Sequence, residues 1–376
     1  MLQRSFLGLG STTKIGDLLE KNNSRNILLV SGKKSFSLSG AEKIFQPLIG
    51  RFKFIRFNDF EVNPKFEDAI KGTLIAQENN IDTVISIGGG SVIDMAKLIL
   101  SFIAPEQNYH AILRGQNRPI DPRIPHFSIP TTAGTGSEST HFAVVYLENI
   151  KYSIAAPFLL PNSIILDGHL VISNSPYQRA NNGLDALAQA IESHWSNGSS
   201  EESRLYSRQA IPILYKNLYK LVSGKAERKD FQDFIIAANL TGKAINISKT
   251  TSPHAYSYAF TSKYGIPHGQ AIWLTLPKIF GIHMNALETD KLSVKNYEKF
   301  KFSMNEIIEL LGISKINVVK NLEKFVLDLG LECSMEKLGA ITKFDRNQVA
   351  NNVNIERLKN NPIIFSKSNI NQIFNL

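Results

Sequence analysis

Three glycines and a serine, Gly88-Gly89-Gly90-Ser91, directly follow the apolar run Thr83-Val84-Ile85-Ser86-Ile87. Backbone without side chains approaches an anion closely, and the start of a following helix presents unpaired N–H groups at the positive end of its dipole. Ser91 is placed to cap that helix and to donate to a phosphate. The spacing meets neither the GxGxxG nor the Walker pattern, and a triple glycine alone is equally a tight turn. A second loop, Ile129-Pro130-Thr131-Thr132-Ala133-Gly134-Thr135-Gly136-Ser137-Glu138, gathers hydroxyls and glycines after another short apolar run. It suits hydrogen bonds to phosphate, ribose or an amide, although Ser137-Glu138 is also ordinary helix-capping chemistry. Two such loops point to a dinucleotide. Farther on, Asp185 and Gln189 sit at i and i+4 of a helical run over 182–193 and share one face. Of eight histidines, His254 and His268 stand apart as catalytic candidates, each in a Pro-His setting. His110, His126, His141, His169, His194 and His283 read as structural.

The elements that must position these residues divide into two patterns. Strands over 27–30, 52–57 and 83–87 alternate with helices over 41–49 and 66–78, which implies parallel pairing with covering helices. This is a doubly wound α/β dinucleotide-binding domain, expected over residues 1–175. After it, helical spacing dominates over 184–194, 201–219, 231–247 and 271–282, punctuated by Pro176, Pro253, Pro267 and Pro277. An all-α domain is expected over 176–376, with the polar stretch Asp167 to Tyr177 as hinge and the site in the cleft between domains. The Asn-rich stretches near Asn351 and Asn360 read as surface turns.

The chain of 376 residues is long enough for two such domains. No apolar run approaches the roughly 18 residues needed to span a bilayer, and the first residues are too short in apolar length for a signal peptide. One cysteine, Cys333, makes no internal disulfide and reads as a buried small hydrophobe. A reducing cytoplasm is the expected compartment. The formal charge of +9 is spread in short groups such as Lys33-Lys34, without a polybasic tract or zinc finger, so nucleic acid is not the expected partner. An anionic small substrate or a phosphorylated cofactor accounts for the charge, as does solubility alone.

The segments Gly88-Gly89-Gly90-Ser91…Asp94…Lys97, Thr131-Thr132-Ala133-Gly134-Thr135-Gly136-Ser137-Glu138, Gly183-x-Asp185-Ala186-Leu187 and Pro267-His268-Gly269 together resemble the iron-containing (group III) alcohol dehydrogenases. The resemblance spans most of the chain, in the expected order. It implies an NAD(P)-linked alcohol dehydrogenase or aldehyde reductase, and it places Gly88, Gly89, Gly90, Ser91, Asp94, Lys97, Thr131, Thr132 and Ser137 around the cofactor. It puts Asp185, His254 and His268 on metal-ligand positions. Two departures stand out: Gln189 occupies the place of a fourth ligand, a histidine, and Tyr258 the place of another histidine. Gln189 is open to three roles: ligand through its amide oxygen, support for a metal-bound water, or neither. One carboxylate and two imidazoles suit Fe2+ or Zn2+, which would polarise an aldehyde carbonyl. Metal loss is the competing reading. Tyr258 lines the pocket, relays a proton, or belongs to the core.

Within this resemblance, a carboxylate at the end of the second strand would select NADH. The segment reads Val30-Ser31-Gly32-Lys33-Lys34 instead, so Gly32 and Lys33 favour NADPH, with NADH as the alternative. The stretch from Leu184 through Arg204 resembles the branch of phosphonoacetaldehyde reductases, which implies a small phosphonate-bearing aldehyde reduced to its alcohol. Arg204, Lys243, Lys249 and Lys263 are the candidate counter-ions for such a substrate. The resemblance also implies a homodimer. Two other readings stay open: a general primary-alcohol or glycerol-type NAD-dependent dehydrogenase, and a catalytically silent nucleotide-binding protein.

Overall fold

A parallel sheet covered on both faces needs strands that are apolar on both sides. In strand β2, Ile27 and Leu29 enter one hydrophobic layer while Leu28 and Val30 enter the other. The computed structural model describes residues 3–148, 150–289, 294, 296–338, 342–351, 353 and 358–376. Its sheet comprises β1 (Arg4–Leu7), β2 (Asn26–Ser31), β3 (Lys53–Phe57), β4 (Thr83–Gly88), β5 (His126–Pro130) and β8 (Ser163–Leu166) in the order β1-β8-β5-β4-β2-β3. Every pairing in it is parallel. A separate antiparallel ribbon joins β6 (Phe142–Leu147) to β7 (Ile150–Ala155).

Helices α1 (Ile15–Lys21), α2 (Ser35–Leu38) and α3 (Ala41–Phe45) carry residues of one layer, and α4 (Phe66–Glu78) and α5 (Gly90–Phe102) those of the other. The expected helix over 41–49 ends early. Pro47 converts its second half into a 3-10 turn, Gln46–Leu48. A short helix, α6 (Tyr109–Leu113), completes this side.

The remaining elements are helical. In order they are α7 (Pro176–Trp195), α8 (Glu201–Ser223), α9 (Arg228–Ser248), α10 (Ser252–Tyr264), α11 (His268–Trp273) and α12 (Leu276–Thr289). Ser175 and Gln178 form a capping box at the start of α7, with Pro176 in its first turn. The single helix expected over 271–282 is two helices, because Pro277 has no N–H to continue the ladder. Farther on lie α13 (Tyr297–Leu311) and α14 (Val318–Asp328).

Two compact units result: Met1–Asn174 with Glu227–Asn239, and Ser175–Ala226 with Leu240–Leu376. The first half of α9 therefore belongs with the sheet. Its Gln232 side chain accepts from Gly168 N at 2.8 Å and donates to Leu166 O at 2.9 Å. A Cβ on Gly168 would lie 2.7 Å from Gln232 N, so only glycine admits the helix there. Asp167, expected in a hinge, is a buried anchor accepting from Gly10 N, Thr12 and His169 N. Asn360 is not a solvated turn either. Its amide donates to Ser248 O and Thr250 O, fixing the approach to α10. Part of the Asn351 stretch, residues 352 and 354–357, lies outside the described residues. No helix among the described residues is long and apolar enough to cross a membrane.

Candidate functional site

The glycine loop leaves β4 at Gly88 and enters α5 at Gly90, with Gly89 extended at the N-cap position. The second loop leaves the neighbouring strand β5, and the two loops nest. A Cβ on Gly89 would stand 3.2 Å from Thr132 Oγ1, and one on Gly90 would stand 2.6 Å from Thr135 Oγ1. Gly89, Gly90, Ser91 and Thr132 keep some exposure. Beside them Thr131 Oγ1 is buried without a hydrogen-bond partner. An orphaned buried hydroxyl next to bare backbone and free helix N–H groups fits the phosphates of a dinucleotide.

Four sequence expectations change here. Ser91 does not cap α5: it lies inside the first turn, and its hydroxyl accepts from Asn63 N at 3.1 Å. Lys97 is fully buried, and its Nζ donates to Ser137 O (2.6 Å), Thr140 O (2.8 Å) and Phe142 O (2.9 Å). Burial pushes this ammonium down to about 8 despite Asp94 and Glu138 nearby. Asp94 accepts from the Ser137 hydroxyl and from Val144 N. Asp94, Lys97 and Ser137 thus hold the second loop to α5, with their polar atoms directed to one another.

At the end of β2, Gly32 is half-buried and Lys33 exposed, with Lys33 Nζ 3.4 Å from Asp59. Arg56 of β3, which the sequence reading passed over, donates from Nε to Ser31 Oγ at 2.8 Å and from Nη2 to Gly32 O at 3.3 Å.

The metal candidates come from three helices of the second unit: Asp185 from α7, His254 from α10 and His268 from α11. One ligand atom of each lies within 4.8 Å of the others, and His254 Nε2 is 3.4 Å from Asp185 Oδ1. Donors bound about 2.1 Å from one cation stand roughly 3–4 Å apart, a spacing the His254–Asp185 pair meets, and one carboxylate with two imidazoles is a donor set that suits a divalent ion. Asp185 and His254 are buried, while His268 keeps some exposure. Burial opposes charge on Asp185, but His254 and His268 outweigh it and hold the carboxyl below its usual range.

His254 is oriented by a residue the sequence reading missed. Glu192, fully buried, accepts from His254 Nδ1, leaving Nε2 turned to Asp185. The same carboxylate accepts from Thr251 N (2.7 Å) and Thr251 Oγ1 (2.9 Å), and Trp195 Nε1 donates to that hydroxyl at 3.0 Å. The signal was available: Glu192 lies seven residues, two helical turns, after Asp185. Against burial, Glu192 and Asp185 together raise the His254 pKa.

Gln189 braces the aspartate. Its Nε2 donates to Asp185 Oδ1 at 3.0 Å, and its Oε1 accepts from Thr241 Oγ1 of α9 at 3.1 Å. The amide oxygen engages Thr241 in this arrangement. The Tyr258 ring lies parallel to His268, at 7° and 5.8 Å between centroids. Of the expected counter-ions, Arg204 pairs with Glu201, Lys263 with Asp345, and Lys243 lies 6.0 Å above the Tyr206 ring.

A family model for iron-containing alcohol dehydrogenase matches residues 3–168, and one for the family's C-terminal domain matches 179–376. The chain belongs to the iron-containing alcohol dehydrogenases. These are oxidoreductases of the alcohol–aldehyde couple linked to a nicotinamide cofactor. A long-chain-alcohol dehydrogenase of Geobacillus thermodenitrificans is 25% identical over 338 residues, 89% of this chain and 85% of that protein. An NADPH-dependent butanol dehydrogenase of Clostridium saccharobutylicum is 30% identical over 268 residues, covering 70% and 68%. Among solved structures, an iron-containing alcohol dehydrogenase of Thermotoga maritima shares 26% identity at a TM-score of 0.81, covering 100% of this chain and 97% of that one. A sulfoacetaldehyde reductase of Bifidobacterium kashiwanohense, solved with NAD+, shares the fold at a TM-score of 0.89 and 24% identity, covering 100% and 98%.

Proposed function

We propose that this iron-containing alcohol dehydrogenase reduces a small aldehyde to its primary alcohol with NADPH, using a divalent cation held by Asp185, His254 and His268. The observation that carries the reading is the convergence of those three donors from three helices onto one spot. When bound, such an ion supplies Lewis-acid polarisation of a carbonyl, and the nicotinamide supplies the hydride.

The chain's own residues prepare both groups. Asp185 stays ionised because two imidazoles face it and Gln189 donates to it. Glu192 accepts a hydrogen bond from the Nδ1–H of His254, which favours the tautomer whose Nε2 carries a lone pair for a cation. Tyr258, whose ring lies parallel to that of His268, is placed to line the substrate side of the site. Backbone N–H groups of Gly88, Gly89 and Gly90 would hold the pyrophosphate, with Thr131 and Thr132 as hydroxyl donors beside it. The absence of an acid in Ser31-Gly32-Lys33 supports NADPH over NADH, and the butanol enzyme of C. saccharobutylicum supports the same choice.

Phosphonoacetaldehyde, yielding 2-hydroxyethylphosphonate, is the specific substrate we propose. A dianionic aldehyde suits the net charge of +9 and the resemblance of the segment from Leu184 to Arg204 to that branch. Turnover of phosphonoacetaldehyde, sulfoacetaldehyde, butanal and glycerol with NADPH and with NADH tests the proposal. Phosphonoacetaldehyde with NADPH should be fastest. A higher kcat/KM for butanal would overturn the substrate, and NAD-linked oxidation of glycerol as the best reaction would overturn the direction as well.

A further inference from the structure

We infer that Arg56 is the specificity-determining residue that reads the 2′-phosphate of NADPH, an inference resting on the NADPH reading above. The pyrophosphate loop follows β4, and β2 is the next strand in the sheet, with Ser31 opposite Ile87 in register. An adenosine ribose extending from that loop would reach the carboxyl end of β2, the place where a carboxylate would bind its 2′-hydroxyl. Ser31, Gly32 and Lys33 stand there, and none is acidic.

Arg56 comes from the adjacent edge strand, opposite Leu29, and its side chain turns back over the same strand end. Three neutral anchors hold it: Ser31 Oγ at 2.8 Å from Nε, Gly32 O at 3.3 Å from Nη2, and the Phe36 ring 4.6 Å from the guanidinium carbon. Among the described residues no carboxylate pairs with it, and its Nη1 donates to none. An exposed arginine ordinarily roams on a flexible stem. This one is held over an aromatic face by two further hydrogen bonds with donor hydrogens left over, the arrangement that suits a planar fork meeting a phosphate.

Lys33 is the obvious rival and the geometry disfavours it. Its Nζ lies 3.4 Å from Asp59 Oδ1, and Asp59 also binds Lys71, so a carboxylate already faces that ammonium. Glu61 pairs with Lys65 at 2.8 Å. Among the described residues Arg56 has no carboxylate partner at this strand end, and Lys34 is exposed in the turn that follows β2.

The test is equilibrium binding of NADPH and NADH, by fluorescence titration, to the wild-type chain and to Arg56→Gln, Arg56→Lys and Lys33→Gln. Arg56→Gln should weaken NADPH binding about tenfold or more and change NADH binding by less than about twofold, with Arg56→Lys between the two for NADPH. Three results would overturn the inference while leaving the NADPH reading intact. They are an unchanged NADPH preference in Arg56→Gln, equal losses for both cofactors, or loss of preference in Lys33→Gln alone. A wild-type chain that binds NADH as tightly as NADPH would remove the NADPH reading itself, and the inference with it. Should Arg56→Gln fail to fold, Arg56→Lys alone decides: a selective loss for NADPH supports the inference, and unchanged discrimination overturns it.

Discussion

Glu192 touches no substrate, yet it decides which nitrogen of His254 is available. Outer partners of metal-binding histidines set ring orientation and basicity, and removing one typically costs 10–100-fold in metal affinity. Glu192→Gln should therefore lower metal affinity by about that range, measured by competition with a chromogenic chelator. Turnover should recover when metal is supplied in excess. Unchanged affinity would show that Thr251 and packing hold the ring without it. At this scale the sequence disclosed residues whose chemistry is local. Asp185 and His268 sit in short motifs that carry the family resemblance, and His254 in a Pro-His setting. The hydrogen bonds that tie Asp94, Lys97 and Ser137 together were not legible, because their partners lie forty or more residues apart in the chain. Arg56 escaped notice because an arginine in a short edge strand carries no local signal.

Among the elements, the approach of α11 to α7 sets the geometry of the metal candidates. Trp273 Nε1 donates to Leu184 O at 2.9 Å, and Gln270 N donates to Asn181 Oδ1 at 3.2 Å. A Cβ on Gly269 would lie 1.9 Å from Asn181 O, a backbone atom that cannot swing aside. Gly269→Ala should force the two helices apart, carrying His268 from Asp185, and lower Tm by roughly 5–10 °C. Calorimetry and metal analysis of the variant check this together: a fall in Tm with full metal retention would mean the triad tolerates the displacement. The glycine after His268 was visible as part of a motif. Its reason, contact with a helix turn almost ninety residues earlier, was not. Strand and helix positions in the first half were legible because period and length are local. The placement of the first half of α9 was not, because it depends on Gln232 meeting Gly168 and Leu166.

For the whole molecule, three buried histidines make stability depend on acid. Burial, with help from Lys97 in one case, pushes His126 and His283 down to about 3, and burial pushes His194 down to about 4. Their unfolded value is near 6.5, so below that pH the unfolded chain binds protons the folded chain refuses. The stability they contribute is complete above pH 6.5 and declines as pH falls from 6.5 toward 4. Each contributes a loss of up to about 1.4 kcal/mol per pH unit across that window. Urea unfolding between pH 7 and 4.5 should show a midpoint that drops steadily through this range; a midpoint constant down to pH 4.5 would contradict it.

The proposed reaction depends on one acid and two imidazoles gripping a cation. Elemental analysis of anaerobically purified protein, comparing wild type with His268→Ala, measures it most directly. About one equivalent of iron or zinc per wild-type chain is expected. The variant should hold almost none, with aldehyde reduction abolished and NADPH binding nearly unchanged. Wild-type protein that carries no metal and still reduces aldehyde at full rate in chelator, or a variant with unaltered metal content, would contradict the claim.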